Sequence, residues 1–478
     1  MDIRGFSLAA GATLFALACQ EPSEGGDEPT YDATMFADGQ GGALGDMGAG
    51  GGGGDGGGGG TEEHLRLSYV KSVAFQDGTP PQVDLWIYDF TDDETFNVTG
   101  GDEEGVNCRT RQCELSPDMS WVAWLEPGEG AGGFALWAAP VDIKNKSVLS
   151  ADKRLVNDEV NGFRFTSDLI IYSKGQAVGP RGEIEVWVEP IAGPDEALCA
   201  DDKTRCQSIA GIINGNGGFR VTKVSNLIIL IKTTLSSMTL DFYNASTGAA
   251  QTLYTFGEQD GTGSEFDGRQ PIGLATDSTY LSVFTRNEAV WRINTLQAVP
   301  NPPAPAVHEL FAVGTAPEDV CVRDMPYNFD EVRFDPVFTA DADSFYFLAK
   351  GSCSQRVGAD PMTNRDDFDV LTIDRNLAGE VRNVTNNPRV NSWTNHNIGD
   401  FDLDAEATRL AFTASRPDNA TSRAVWLIDV ESGDYDCSRG PELPSFDGRT
   451  RCEFIFDDTA NAEIVHRDLK FHKVDVPR

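Results

Sequence analysis

A strand-rich unit of about 60 residues recurs along this chain, and self-similarity of that length restricts the fold to a repeat architecture. Leu115–Asp142 reads LSPDMSWVAWLEPGEGAGGFALWAAPVD, and Phe401–Asp429 reads FDLDAEATRLAFTASRPDNATSRAVWLID. Both follow one plan: a strand, a tight turn, an apolar strand, a polar loop, then an apolar strand that carries Trp and ends in Asp. Val337–Asp374 is a third copy, with an insertion between its last two strands. Weaker copies lie at 163–193, 219–248 and 274–295, and Leu65–Phe90 supplies the two middle strands of one more. About seven units therefore span residues 64–478. Gly, Pro, Asn and Asp clusters separate the strands, and no long stretch has a 3.6-residue apolar period, so the body is expected to be all-β.

A four-stranded meander buries only one face by itself. Repeating it around an axis buries both faces of every sheet and leaves only short edges. The expected architecture is a β-propeller of seven four-stranded blades; a pair of β-sandwiches is the other arrangement such strands allow. The pattern resembles the TolB-like propeller repeat, found in periplasmic TolB and in the propeller domains of some peptidases. Ser116-Pro117-Asp118 stands where that family has its turn, with Met119 in the place of Gly. Asp341-Ala342-Asp343 and Asp402-Leu403-Asp404-Ala405 read as degenerate versions of it. Val384-Thr385-Asn386-Asn387-Pro388 matches the run between units, and Asn97-Val98-Thr99 matches it in part. The resemblance implies an interaction role in the envelope. The first unit lacks an innermost strand, and Val465–Val474 follows a finished last unit, so this segment is expected to pair with Leu65–Phe75 and close the ring.

Residues 1–18 end an apolar run of signal-peptide length on small side chains. Ala16-Leu17-Ala18-Cys19 resembles a bacterial lipoprotein lipobox. That resemblance implies cleavage before Cys19, lipid on its thiol and, with Gln20 following, sorting to the outer membrane, facing the periplasm or the surface. The segment also reads as an ordinary secretory signal in which Cys19 falls by chance. Residues 19–62 form an acidic, Gly-rich linker: Gln20–Gly60 holds 17 Gly and no Lys or Arg. Such a stretch cannot bury enough apolar surface to offset its ordering entropy, so disorder is expected, with a reach of about 35 Å. The propeller then occupies 63–478, with order beginning near His64.

The chain carries 75 Asp and Glu against 38 Lys and Arg, a formal charge of −37. Nucleic acid is excluded as a partner, because phosphate binding needs a basic face. Apart from Cys19, eight cysteines remain, an even number in an exported chain. Eight allow 105 pairings. Spacing favours the nearest-neighbour set Cys108–Cys113, Cys199–Cys206, Cys321–Cys353 and Cys437–Cys452, each in or beside a loop on the rim rather than in a core strand.

Catalytic signatures are scarce. No GxSxG elbow, Walker A loop or dinucleotide fingerprint stands in a suitable context, and no CxxC pair suggests zinc, so no cofactor and no metal are expected. His466 and His472 are six residues apart, which puts them on one face of a strand about 20 Å apart, too far to share a metal. The alternation Asp400, Asp402, Asp404 raises calcium. The EF-hand pattern fails, however, because Ala405 and Ala411 stand where it needs Gly and Glu. Those aspartates read as the polar face of a strand. The eight Trp fall mostly in strands, as core packing or as a sugar platform. The expected function is a monomeric, non-catalytic scaffold that binds an envelope protein or glycan. The alternatives are a propeller enzyme, a polysaccharide lyase or hydrolase with its site in the central channel, and a surface spacer without a ligand.

Overall fold

The apolar runs of the repeat become strands that bury both faces. In the computed structural model the described residues are 61–75, 77, 79–100, 106, 108, 112–128, 133–166, 169–174, 184–191, 207–211, 219–221, 227–233, 237–245, 249–257, 272–275, 279–287, 290–299, 302, 305–309, 336–350, 368–379, 381–385, 398–416, 421–440, 442–443, 450–456 and 462–477. Cys19 and the linker therefore lie outside them.

The described body is all-β, apart from one short 3-10 turn at Ser150–Asp152. Its strands fall into successive groups. The first holds β1 (Thr61–Phe75), β2 (Gln82–Asp89) and β3 (Glu94–Asn97), and the second β4 (Cys113–Leu115), β5 (Trp121–Pro127), β6 (Phe134–Asp142) and β7 (Ser147–Val148). The third has β8 (Arg154–Phe165), β9 (Leu169–Lys174), β10 (Ile184–Pro190) and β11 (Gln207–Gly211). The fourth has β12 (Phe219–Val221), β13 (Leu227–Thr233), β14 (Ser237–Asn244) and β15 (Ala250–Gly257). The fifth has β16 (Ile272–Leu274), β17 (Tyr280–Asn287), β18 (Val290–Gln297) and β19 (Ala306–Glu309). The sixth has β20 (Val337–Phe338), β21 (Ser344–Lys350), β22 (Phe368–Asp374) and β23 (Arg382–Asn383). The last holds β24 (Asp400–Leu403), β25 (Arg409–Ser415), β26 (Arg423–Asp429) and the hairpin β27 (Glu442–Leu443) and β28 (Arg451–Cys452), before β29 (Ala462–Pro477) ends the chain.

Within each group the strands pair antiparallel in chain order, except that β27 and β28 of the last group pair only with each other. The fourth, fifth and sixth groups are separate four-stranded sheets, whereas β6 also pairs β8 and so joins the second and third groups into one sheet. The terminal strand pairs β1 along almost its whole length, from Thr61↔Pro477 to Phe75↔Ala462. It thereby takes the innermost place that the first group lacks, and a single parallel bridge, Arg423↔Val465, ties it to β26. The pairing expected for Val465–Val474 is present and longer than expected.

Side chains alternate across a strand, and here the alternation sends neighbours into different cores. Val122 and Trp124 of β5 pack with Leu85 and Ile87 of β2, while Ala123 and Leu125 pack with Phe163 and Ile170 of the third group. Ile228 and Leu230 of β13 face Val186 and Val188 of β10, and Ile229 and Ile231 face Leu281 and Val283 of β17. Phe345 and Phe347 of β21 meet Phe284 of β17, and Tyr346 and Leu348 meet Phe401 and Phe412 of the last group. Ala411, Val425 and Leu427 then pack on Leu67, Tyr69 and Tyr88 of the first group. Seven apolar clusters among the described residues thus link each group to the next and the last to the first. Strands buried on both faces read as continuous apolar runs, and the sequences LIILIKT and SFYFLAK are of this kind.

The turn signature also has a physical origin. Met119, Ala342 and Ala407 stand in left-handed backbone, at φ 58°, 55° and 53°. Their N–H groups donate to the carbonyls of Ser116, Thr339 and Asp404 at 2.8, 2.9 and 3.0 Å. Asp118 and Asp341 accept from the hydroxyls of Ser116 and Thr339 at 2.5 and 2.6 Å, which holds each turn closed. This alignment corrects one register: Asp404 occupies the place of Ser116, not that of Asp118. The Asp that ends the third strand also has a task. Asp89, Asp142 and Asp429 accept from the backbone N–H of Thr91, Asn145 and Ser432 at 2.9, 2.9 and 2.8 Å, and so begin the next turn. Among the described residues no helix is long and apolar enough to cross a membrane.

Candidate functional site

The first strand of every group from the second to the last, β4, β8, β12, β16, β20 and β24, reaches one cavity of about 400 Å³, and β29 completes its wall. Close approach of two of these strands requires a glycine: a Cβ on Gly273 of β16 would lie 2.5 Å from the Pro336 carbonyl oxygen beside β20. The cavity is two-sided. Val221, Ile272, Leu274, Val337 and Phe338 make an apolar wall from β12, β16 and β20. The ionisable groups come from β4, β8, β24 and β29.

Glu114 of β4 is the centre of the polar wall. Its carboxylate pairs with Lys470 Nζ from β29 through Oε1, and with Arg164 Nη1 of β8 through Oε2 at 3.3 Å. Gln112 Nε2 donates to Oε2 at 3.1 Å and to the Phe163 carbonyl at 2.6 Å, which fixes the amide. Burial alone would raise the pKa of Glu114. The charges of Lys470 and Arg164 and the hydrogen bonds outweigh it and hold the carboxyl down at about 2. This acid is ionised at every physiological pH.

Beside it, Ser68 Oγ of β1 lies 2.9 Å from His472 Nε2, and His472 Nδ1 lies 3.3 Å from the Pro117 carbonyl oxygen. A carbonyl only accepts, so Nδ1–H donates to Pro117; the one Ser68 hydroxyl proton has two acceptors in reach, His472 Nε2 at 2.9 Å and the Lys470 carbonyl at 3.4 Å. Both side chains are buried.

Asp400 and Asp402 line the same cavity, and the structure corrects their expected role. They are 5% and 6% exposed, so β24 has no solvated polar face. Asp400 Oδ2 accepts from Leu469 N and Asp402 Oδ2 from Phe471 N, both at 2.8 Å. The alternation therefore fastens β24 to β29, because backbone N–H groups of an extended strand also recur every second residue. Asp404 closes its turn through Thr408 N and Arg409 N, at 2.7 and 3.0 Å.

The expectation that His466 and His472 share one face of a strand is overturned as well. Asp468 takes left-handed backbone, φ 63°, and the β1–β29 register slips between Ser68 and Val70. This bulge flips the alternation, so His472 faces the cavity with Ser68. His466 faces the other side with Tyr69, its Nδ1 2.6 Å from the Arg423 carbonyl oxygen. His64, Asp89 and Asp92 offer ligand atoms within 4.8 Å of one another. Yet Arg66 Nε donates to the same Asp89 oxygen that His64 Nδ1 meets, at 2.7 and 2.8 Å. A cation would have to displace that guanidinium, and the grouping reads as an ion-pair cluster. Burial would raise the Asp89 pKa, but His64 and Arg66 more than offset it and lower it.

Cys108–Cys113 and Cys437–Cys452 are disulfide-bonded. The expectation that such bonds avoid core strands fails for the first: Cys113 opens β4, and both its sulfurs are buried in the cluster between the first two groups. Cys199, Cys206, Cys321, Cys353, His396 and Trp393 lie outside the described residues.

No protein-family model matches the chain, and no curated protein matches it. Among solved structures it is similar to a periplasmic gluconolactonase of Pseudomonas aeruginosa, with 12% identity over 85% of this chain and 99% of that one, at a TM-score of 0.44. The β-propeller domain of a trilobed protease from Pyrococcus furiosus gives 9%, 80%, 95% and 0.39 on the same measures, and TolB from Acinetobacter baumannii gives 12%, 73%, 83% and 0.32. At such scores the likeness carries no information on ligand or reaction.

Proposed function

We propose that the chain is a closed β-propeller of seven blades, held to the outer membrane through a lipid on Cys19 and the acidic linker, and that it binds an envelope protein or glycan in its central channel without transforming it. Seven clusters that return to their starting group support the ring, and β29 beside β1 supports its closure. The lipobox-like Ala16–Cys19 supports the anchor. The observation that carries the binding reading is the state of Glu114. A general acid or base works best with a pKa near the operating pH. Glu114 is held at about 2 by two cations, and the hydrogen bonds that Asp400 and Asp402 accept from the backbone N–H groups of Leu469 and Phe471 tie those carboxylates to the wall. The acids of the channel build a fixed polar wall opposite an apolar one, which suits recognition of an amphipathic surface.

One observation favours the enzymatic alternative. Ser68 and His472 have the geometry of a nucleophile and its base, with Pro117 as the orienting acceptor. Ser68 is 2% exposed, however, so a substrate carbonyl has little access to its oxygen.

Ala405 lines the channel and is exposed, so Ala405→Trp fills the channel mouth without entering the core. Crosslinking of native envelopes followed by capture of the tagged chain tests the reading. A component retained by the wild type and lost with Ala405→Trp supports it. The same components captured by both forms would contradict it.

A further inference from the structure

The hydrogen bonds of Ser68 and His472 have two self-consistent settings. Both residues border the channel, as do Pro117 and Lys470. His472 Nδ1–H is committed to the Pro117 carbonyl at 3.3 Å. The Ser68 hydroxyl can turn its proton to His472 Nε2 at 2.9 Å or to the Lys470 carbonyl at 3.4 Å. While the imidazole is neutral, Nε2 is an acceptor and takes the Ser68 proton. In an imidazolium Nε2–H is a donor. Ser68 Oγ then accepts from it, and the Ser68 proton turns to the Lys470 carbonyl. A buried donor left without an acceptor is costly, and here one hydroxyl rotation supplies the acceptor.

The charged groups around the pair come from every strand packed on it. Arg66 of β1 is the register partner of His472 and is held by Asp89 at 2.7 Å. Glu114 of β4 holds Lys470 of β29 and Arg164 of β8. Asp400, Asp402 and Asp404 of β24 accept from backbone N–H groups. Asp468 Oδ2 lies 3.3 Å from Arg467 Nη1, and Lys473 Nζ lies 2.9 Å from Glu406 and 3.1 Å from Glu63. Carboxylates, ammonium and guanidinium groups ordinarily keep their charge between about pH 5 and pH 8, whereas an imidazole ordinarily titrates inside that range. Among the described residues that border the channel, His472 is the one of this kind.

We propose that Ser68 and His472 form a proton switch in the channel wall. On acidification the wall gains one positive charge on His472, and the hydroxyl rotation keeps both ring nitrogens bonded in either state. A cationic part of a ligand would then be held less tightly at low pH, and an anionic part more tightly. That consequence rests on the binding reading above; the titration itself does not.

The test is an NMR titration of the ligand-free, full-length chain with its histidine rings labelled in 15N and 13C. Five histidines give few signals, and His472→Gln identifies the one in question. At high pH the proton is expected on Nδ1 with none on Nε2, and at low pH on both, with a midpoint between about pH 5 and pH 8. Ser68→Ala removes the acceptor that the charged form needs. A hydrogen bond to a charged group is roughly twice as strong as a neutral one, so the midpoint should fall by about one pH unit. A neutral ring protonated on Nε2 would overturn the proposal. So would a ring that keeps one charge state across this range, or an unshifted midpoint in a folded Ser68→Ala protein. Unchanged capture by Ala405→Trp, by contrast, would remove the binding reading and leave the titration as it is.

Discussion

Glu114 and Lys470 are 356 residues apart, and Ser68 and His472 are 404 apart. Neither pair has a local spacing that a reader of the sequence could weigh, so the channel site was illegible before the fold was known. What the sequence did display was the Asp400–Asp404 alternation, a signal with the wrong meaning attached. Its period matches the amide period of a neighbouring strand, and the carboxylates serve that strand. The ion pair makes a testable statement about acid. A carboxyl whose pKa is depressed on folding adds stability that is complete above its unfolded value, near 4.5, and is lost as pH falls toward its folded value of about 2. That shift corresponds to about 3 kcal/mol, as an order of magnitude. Glu114→Gln mimics the protonated form and strands two cations. It should therefore be less stable than wild type by about this amount at pH 7. The gap should narrow once the pH drops below about 4.5. Urea unfolding of both proteins from pH 7 to pH 3 measures it; a gap that stays constant would show that Glu114 is not held by its partners.

The strands of the body follow the repeat closely. Six of the proposed copies, including the weak ones at 163–193, 219–248 and 274–295, each coincide with three successive strands of one group, and Leu65–Phe90 coincides with β1 and β2. They were legible because each inner face needs apolar side chains and each turn needs its Asp. The outer strands, such as β3, β7 and β23, were not, since two to four residues at a sheet edge are subject to no strong pattern. The bulge at Asp468 was equally hidden: one left-handed residue reverses the facing of everything after it, and no sequence alternation reports it. The turns offer a prediction on stability. Ala407 is half-buried and left-handed, where a Cβ is strained and Gly is not. Ala407→Gly should stabilise the protein by about 1 kcal/mol. A thermal melt checks it, and a lower melting temperature would mean that the turn is not strained there.

Over the whole molecule, two segments far apart in the chain are open to test. At one end, Cys19→Ser should move the protein from the membrane pellet to the soluble fraction of lysed cells; a protein that stays in the pellet would be held by something other than the lipid. At the other end, β29 pairs with β1, supplies Lys470 and His472 to the channel, and donates backbone N–H groups to Asp400 and Asp402. Removing residues 462–478 should abolish cooperative unfolding altogether, because the first and last groups share that strand and the core around Phe471. An unchanged melt would place the stability elsewhere.

Closure by β29 is the central claim, and a crosslink tests it most directly. Glu63 and Asp475 are exposed and face each other across the two terminal strands. With Glu63→Cys and Asp475→Cys together, mild oxidation should join the ends of the chain through a new disulfide, read by mass spectrometry of the linked peptides. The pair Glu63→Cys with Lys473→Cys, two residues out of register, should join far less. No link in the first protein, or equal links in both, would contradict a ring closed by its two ends.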